Sequence, residues 1–253
     1  MPKVTLSSLF KKKSDGRKIT CLTAYDAPVA SLIDASGIDI VLVGDSVGSA
    51  ALGLDNTLSV TISDMLHHLK AVRRAVKDAL LVCDMPMSSF TGVTALQDAS
   101  ALFAAGAEAV KIEGTAHISL IEDLIKKGMP VMGHLGFTPQ TDSTPSVKGR
   151  SEDSASELMK NAALLEKAGV FAIVLELVER SAAQKLTHSS CVPTIGIGSG
   201  PHCDGQVLVI NDVIGMTLGK VPRFAKQYAD VKSTISSAVR DFRRDVEELK
   251  YPS

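Results

Sequence analysis

The chain repeats one pattern: a short apolar run, a polar loop, and then a longer stretch in which apolar positions recur with a helical period. Most of the apolar runs are continuous rather than alternating, as in parallel strands that are covered on both faces. Eight runs predict strands: Ile19–Thr23, Ile38–Val43, Leu80–Cys83, Ala109–Ile112, Pro130–Gly133, Phe171–Leu175, Pro193–Ile197 and Val207–Ile210.

The stretches between these strands predict helices, most clearly at Ser63–Val76, Val93–Ala105 and Glu152–Lys167. Repetition of one helix–glycine–strand unit, with eight strands, favours a closed (β/α)₈ TIM barrel over an open sheet. We therefore predict a single α/β barrel domain over residues 1–253 with extra terminal helices, the last over Ala225–Leu249. Glycines expected to end helices in a left-handed conformation are Gly37, Gly106, Gly128 and Gly169.

Composition narrows the class of protein. The 253 residues carry a formal net charge of -1, and aromatic residues make up only 4%. A basic stripe and stacking aromatics are therefore missing, which argues against a nucleic-acid partner. The first residues, MPKVTLSSLFKKK, are too short and broken in apolar character for a signal peptide or a membrane span. A transit peptide is set aside because this start lacks Arg and barrel-like sequence begins near Ile19.

The four cysteines form no C-x-x-C pair, and three of them, Cys21, Cys83 and Cys191, lie in or beside apolar runs. We expect the cysteines, with Cys203 as the fourth, to be buried, reduced thiols that pack as small hydrophobic side chains. This usage favours a cytoplasmic location.

Ionisable residues end five successive strands. In a barrel these ends meet at one mouth, where catalytic groups lie. Any one of them alone is better explained as a helix cap or a solvated carboxylate, but several buried carboxylates together require a compensating cation. The five are Asp45, Asp84, Glu113, His134 and Glu176.

Oxygen ligands without nearby Cys or paired His indicate a hard ion, and the set Asp45, Asp84 and Glu113 therefore predicts a magnesium site. Lys111 lies two residues before Glu113, so strand alternation places both side chains on one face. There the ammonium either grips an anionic substrate or only pairs with the carboxylates.

Other signals are weaker. His67 and His68 lie in a helical stretch and are expected to be surface or packing residues. The glycine-rich segment Gly196–Gly205 could approach a ligand or hold a phosphate, but it lacks the spacing of a nucleotide-binding fingerprint. Lys11–Lys13 are interpreted as a solvated helix end.

At these same positions the sequence resembles the ketopantoate hydroxymethyltransferase family over nearly its whole length. Several long motifs in the right order carry the resemblance: TAYD (Thr23–Asp26), VGDSVG (Val43–Gly48), TLSVT (Thr57–Thr61), VKIEG (Val110–Gly114), GHLGFTPQ (Gly133–Gln140), VLE (Val174–Glu176), IGIGSG with its following DGQ (Ile195–Gln206) and PRFAK (Pro222–Lys226).

The resemblance implies a TIM-barrel enzyme that transfers a one-carbon unit from 5,10-methylenetetrahydrofolate to 3-methyl-2-oxobutanoate, giving 2-dehydropantoate and tetrahydrofolate. It also implies a homo-oligomer, often a decamer. By motif, Mg²⁺ is assigned to Asp45, Asp84 and Glu113, the keto acid to Asp45, Ser46, Asp84 and Lys111, and proton abstraction to Glu176.

One region departs from the family pattern. The segment Thr141–Arg150, TDSTPSVKGR, is shorter and lacks a Gly–Gly–aromatic step. We expect this segment to form a loop over the site. Its departure should therefore change the reaction rate and the affinity for folate more than the reaction class.

The implied chemistry agrees with the residues. A 2-keto acid can chelate one metal, which stabilises the enolate formed when a neighbouring carboxylate removes a proton. Glu176 suits that base, and His134 either orients the substrate or carries a proton. Two other classes stay open: a magnesium-dependent barrel lyase or mutase that needs no folate, and a non-catalytic relative that kept the fold.

Overall fold

Eight parallel strands close into a barrel in chain order, with β8 pairing back onto β1 so that Val207 lies opposite Cys21. The structure is a computed structural model that describes residues 2–90, 94–142 and 144–252. The predicted (β/α)₈ fold is confirmed. The strands are β1 Ile19–Thr23, β2 Ile40–Val43, β3 Leu80–Asp84, β4 Ala109–Glu113, β5 Val131–Gly136, β6 Ala172–Glu176, β7 Thr194–Ile197 and β8 Gly205–Leu208.

Helices surround the barrel and follow most of the strands. They are α1 Leu6–Ser14, α2 Ala27–Ala35, α3 Val47–Ala50, α4 Ile62–Arg73, α5 Ala95–Ala104, α6 Ile118–Lys126, α7 Glu152–Ala168, α8 Arg180–Ser189, α9 Ile210–Ile214 and α10 Val231–Glu247, with a short 3₁₀ helix at Met87–Phe90. The predicted start of α5 at Val93 lies outside the described residues. The extra terminal helices are present as α1 and α10.

The continuous apolar runs form strands because both of their faces are covered. Every residue of β2, β3 and β4 is buried, with one side chain directed into the barrel and the next toward the helices. The helix ends follow the predicted glycine rule, since Gly37, Gly106, Gly128 and Gly169 all have positive φ.

Several element boundaries differ from the prediction, most of them by one to three residues, and two differences, at β8 and the last helix, have a clear physical cause. β8 begins at Gly205 and ends at Leu208, whereas the apolar run predicted Val207–Ile210. A side chain at Gly205 would meet the carbonyl oxygen of Ile19 at 2.5 Å, so a glycine allows β8 to approach β1. The last helix is shorter than predicted, because Asp230 caps its first turn through the N–H of Ser233.

The cysteine prediction holds for three residues and is wrong for the fourth. Cys21, Cys83 and Cys203 are buried, but Cys191 is exposed in the turn between α8 and β7. Apolar neighbours in the sequence did not show whether Cys191 lies in the strand β7 or in the turn before it. Within the described ranges, no helix is both long and apolar enough to cross a membrane.

Candidate active site

The carboxyl ends of the strands surround one cavity of about 110 Å³. It contains all seven side chains that the sequence singled out: Asp45, Ser46, Asp84, Lys111, Glu113, His134 and Glu176. The parallel barrel brings them together, since they come from five successive strands, β2 to β6, and all face its carboxyl end.

Lys111 is the cation at the centre of the polar wall. Its ammonium lies 3.1 Å from Oδ1 of Asp84 and 3.8 Å from Oε1 of Glu113, and all three side chains are buried. Burial alone lowers the pKa of a lysine, but the surrounding carboxylates outweigh it and raise the pKa of Lys111 above its usual value. Lys111 therefore stays charged.

Asp45 and Asp84 form a close pair of carboxylates. The backbone N–H of Asp45 donates to Oδ2 of Asp84 at 3.0 Å, which fixes the loop after β2 against the end of β3. Burial raises the pKa of both carboxyls, and the charge of Asp84 helps to raise the pKa of Asp45 to about 7. Lys111 lowers both pKa values but does not outweigh burial.

His134 connects two carboxylates across the mouth. Its Nδ1 lies 3.3 Å from Oε1 of Glu113 and its Nε2 lies 3.4 Å from Oε2 of Glu176. Burial and Lys111 lower the pKa of His134, but Glu113 and Glu176 outweigh them and raise it to about 9. Burial likewise opposes ionisation of Glu113, yet His134, Lys111 and a backbone N–H hold its pKa below the usual value.

Opposite the charged groups lies an apolar wall. Ser46 stands at its edge, where its Oγ is 2.8 Å from the hydroxyl of Tyr25. Thr57 also lines the cavity, and its buried hydroxyl has no hydrogen-bond partner among the described residues. The wall gives the cavity one polar and one hydrocarbon side and consists of Leu42, Val174, Ile197, Val207 and Leu208.

Gln140 is a site residue that the sequence reasoning missed. It is buried in the loop between β5 and α7 and hydrogen-bonds to both Asp45 and Glu113. The only signal was its place at the end of the segment GHLGFTPQ. Its partners are 95 and 27 residues away in the chain, and no local pattern reveals such contacts.

The carboxylates of the cavity offer oxygen ligands for a metal ion. Across residues 2–90, 94–142 and 144–252, no three His, Cys, Asp or Glu side chains are arranged to hold an ion by themselves. Mg²⁺ commonly takes one or two carboxylates, with water and substrate completing its shell. Asp45 and Asp84 fit that mode, because Oδ1 of Asp84 is buried and contacts only the Lys111 ammonium among described polar groups.

Of the weaker sequence signals, only the glycine-rich segment reaches the cavity among the described residues, through Ile197. The Nδ1–H of His68 donates to the Tyr25 carbonyl oxygen at 2.7 Å, a packing role. In the glycine-rich segment, the Ser199 hydroxyl donates to the Leu175 carbonyl and accepts from the Val178 N–H, which braces the end of β6. Lys11–Lys13 occupy the last turn of α1 as predicted, but only Lys11 is exposed, since Lys12 pairs with Asp39 and Lys13 pairs with Asp204.

The loop that departs from the family pattern lies beside the mouth. Within Thr141–Arg150, Lys148 pairs with Asp142 at 3.0 Å, and its backbone N–H donates to the Leu177 carbonyl. Ser143 is outside the described residues. The loop is thereby tied to the segment that follows Glu176.

The fold and the cavity define the class as a (β/α)₈-barrel enzyme with acidic and basic groups gathered at its mouth. The family model described as ketopantoate hydroxymethyltransferase matches residues 3–253. The chain belongs to this family.

Curated relatives align with this chain over nearly the full length of both sequences. The 3-methyl-2-oxobutanoate hydroxymethyltransferase of Caldivirga maquilingensis is 48% identical and aligns with 99% of this chain and 96% of its own. The enzyme of the same name from Thermoanaerobacter sp. (strain X514) is 44% identical, with 99% and 94% covered. The one from Ignicoccus hospitalis is 46% identical, with 100% and 98% covered.

Solved structures show the same barrel in distant proteins. A phosphonopyruvate hydrolase in complex with oxalate and Mg²⁺ superimposes with a TM-score of 0.64 at 14% identity, covering 97% of this chain and 88% of its own. A 2,3-dimethylmalate lyase, a member of the PEP mutase/isocitrate lyase superfamily, gives 0.59 at 14% identity, with 98% and 88% covered. At this identity the likeness concerns the fold alone.

Proposed function

We propose that the protein transfers a hydroxymethyl group from 5,10-methylenetetrahydrofolate to 3-methyl-2-oxobutanoate, giving 2-dehydropantoate and tetrahydrofolate in pantothenate biosynthesis. Membership of the family supports the hydroxymethyl transfer. The observation that carries the proposal is the two-sided cavity: charged groups that suit a 2-keto acid face a hydrocarbon wall that suits its branched alkyl group.

We assign the keto-acid contacts to Asp45, Ser46, Asp84, Lys111 and His134. The Lys111 ammonium is buried and stays charged, so it attracts the carboxylate of the substrate without an added desolvation cost for itself. The alkyl group lies against Val174 and Ile197 on the opposite wall. Together these contacts direct the C3–H bond toward the mouth.

Mg²⁺ is assigned to Asp45, Asp84 and Glu113. When bound, it supplies Lewis-acid stabilisation of the negative charge that develops on the keto oxygen. The cavity lining supports this assignment, because it holds four carboxylates against one lysine and one histidine. Glu113 is already held by Lys111, His134 and Gln140, which suits contact through water rather than a direct bond.

Glu176 is assigned as the base that removes the C3 proton. It ends β6 at the cavity and is the one carboxylate there with a partly exposed side chain. His134 is 3.4 Å from it, and we assign the histidine to orient the carboxylate and the substrate. Gln140 and Lys111 take up the other carboxylates, so Glu176 is left for proton transfer.

The two rival classes are not favoured. A lyase or mutase of the related barrels matches this chain at 14% identity or less, against 44–48% for the hydroxymethyltransferases. A non-catalytic relative would not need Glu176 and His134 paired inside the cavity. The fold provides the same strand ends to all three classes, so the side chains decide between them.

The direct test is an assay with 3-methyl-2-oxobutanoate and 5,10-methylenetetrahydrofolate, run with Mg²⁺ and with EDTA. We expect 2-dehydropantoate only when both substrates and the cation are present. Product formation that is insensitive to EDTA would remove the metal from the proposal. Absence of product, with turnover of a phosphonate or a malate derivative instead, would favour the lyase class.

We also propose that the chain acts as a single catalytic domain in a cytoplasmic homo-oligomer, for which the resemblance implies a decamer. The helix α10 supports assembly, because none of its residues is buried although its apolar side chains form one stripe. A second copy of this chain is the partner that we assign to the stripe.

A further inference from the structure

Gln140 contacts the ends of three strands at once. Its backbone N–H donates to Oε2 of Glu113 at 3.0 Å, and its side-chain amide donates to Oδ2 of Asp45 at 2.8 Å and to the Met85 carbonyl at 2.9 Å. The residue is buried and its loop is otherwise supported by its own turn, in which the Thr141 N–H donates to the Thr138 carbonyl. No other described loop residue reaches two of the carboxylates assigned to the cation.

The chemistry of these contacts fixes the amide orientation. Gln carries two N–H donors on one atom, and both partners here are acceptors only. The carbonyl of Met85 cannot donate, so the amide nitrogen must face it, and the same nitrogen then faces Asp45. Both donors are therefore used, and no flipped arrangement satisfies the same partners.

The consequence is a carboxylate with one oxygen held and one available. Oδ2 of Asp45 accepts from Gln140, whereas Oδ1 makes no hydrogen bond or ion pair with any described residue. A freely rotating carboxylate would present either oxygen, or neither, to a ligand in the cavity.

We propose that Gln140 is a positioning residue for the cation site: its amide holds Asp45, its backbone N–H holds Glu113, and the loop after β5 thereby couples to cation binding. The inference rests on the cation assignment of the proposed function. In this role Gln140 acts through the carboxylates, since its amide nitrogen and its backbone N–H are both used as donors.

The test measures binding of Mn²⁺, which accepts the same oxygen ligands as Mg²⁺ and is visible by EPR, with no substrate present. Gln140→Met keeps the length of the side chain and removes both donors, and we expect about tenfold weaker Mn²⁺ affinity. Gln140→Glu places a further carboxylate beside Asp45, and we expect affinity above that of the original protein. Gln184→Met, on the exposed face of α8, is the matched control and should bind as the original does.

Thermal unfolding gives a second readout. A residue that only fills space would lower the melting temperature equally with and without Mn²⁺. We expect Gln140→Glu to show a larger Mn²⁺-induced rise in melting temperature than the original protein, and Gln140→Met a smaller one. If Gln140→Met does not fold, Gln140→Glu decides alone.

The failures are distinguishable. If the original protein binds no Mn²⁺, the cation assignment is wrong and this inference falls with it. If the original protein binds Mn²⁺ and both Gln140 variants bind it equally well, with equal rises in melting temperature, the cation site stands and the role of Gln140 is refuted.

Discussion

At the scale of single residues, the four carboxylates of the cavity differ in what surrounds them. Asp84 and Glu113 face the Lys111 ammonium, and Asp45 accepts from Gln140. Glu176 faces only His134, and its side chain is 19% exposed whereas that of Glu113 is 3% exposed. A base that must take and release a proton needs such access, and the others are tied to permanent partners.

Replacing Glu176 with Gln keeps the shape of the side chain and removes its basicity. We expect turnover to fall by about 10²–10⁴-fold, the usual contribution of a positioned base, while Mn²⁺ affinity changes little. Exchange of the C3 hydrogen of 3-methyl-2-oxobutanoate with deuterated water, without folate, reports deprotonation alone. Glu157→Gln, exposed on α7, serves as the control.

If Glu176→Gln exchanges this hydrogen as fast as the original protein, another group is the base. His134 is the first alternative because it lies 3.4 Å from Glu176 in the same cavity. The pKa of His134 is raised to about 9 by the two carboxylates, so it would begin the reaction protonated at neutral pH. That state suits an orienting role better than proton abstraction.

The sequence predicted the strand-end residues of the site because a parallel strand places its last side chains at a known edge. Asp84, Glu113 and Glu176 end their strands, and the barrel closure then brings them together. Gln140 and Thr57 could not be predicted in this way. Both lie in loops, and their positions depend on long-range packing that leaves no period in the sequence.

At the scale of elements, the end of β6 depends on a close approach by β5. Gly136 pairs with Glu176 in the barrel register and has a φ of 99°. A Cβ at this position would overlap the backbone carbonyl of Glu176, which also accepts the Phe137 N–H at 2.8 Å. The strand that carries the proposed base is thus held where only a glycine fits.

Gly136→Ala is therefore expected to destabilise the protein in two ways. The left-handed backbone costs about 1–2 kcal/mol, and the overlap with β6 adds about 1–3 kcal/mol to the loss in free energy of unfolding. Gly128→Ala is the matched control, because its φ is 77° and a Cβ there meets nothing within 4 Å. Equal losses in urea unfolding for the two variants would show that the close approach has no energetic role.

A second element-level contact links the end of α2 to the start of β3. The carboxylate of Asp34 accepts backbone N–H bonds from Lys77, Asp78 and Ala79 at 2.8–3.3 Å. Burial raises the pKa of Asp34, but the three donors outweigh it and the net pKa is lowered. This carboxylate holds the turn that leads into β3.

The sign of its pH dependence follows from that direction. The folded pKa is below the unfolded value of about 3.9, so the contribution is present above pH ~4 and is lost as the pH falls through the folded pKa. Asp34→Asn should lower the free energy of unfolding by about 1–3 kcal/mol at pH 7 and by less at pH 3. Urea unfolding across this range measures the difference, with Asp55→Asn in an exposed loop as control. A loss that is the same at both pH values would contradict this account.

Element boundaries show where periodicity stops being informative. β1 was predicted at Ile19–Thr23 and lies there, since its apolar run and the strand coincide. β8 lies two residues earlier than predicted, because Gly205 and Gln206 resemble a loop in sequence. The glycine at position 205 is nevertheless what allows β8 to close against Ile19. Contacts between strands that are far apart in the chain settled this boundary.

At the scale of the whole molecule, α10 is a helix whose stability is not explained by packing against the barrel. It spans 17 residues without a buried one, and an isolated helix of that length is only marginally stable in water. Its apolar side chains recur with alternating four- and three-residue spacing, as in a coiled-coil seam. They are Ile235, Val239, Phe242 and Val246, followed by Leu249 just beyond the helix.

Charges placed in this stripe should therefore disrupt assembly. Val239 and Phe242 are 61% and 58% exposed, so Val239→Asp with Phe242→Asp leaves the barrel core untouched. We expect the double variant to sediment as a smaller species than the original protein at micromolar concentration, since a buried charge in the seam is costly. Ser237→Asp, on the opposite face of α10, is the matched control and should sediment as the original does. If the original protein is monomeric, or if the double variant keeps its full size, α10 is not the contact between copies and its apolar stripe has another occupant.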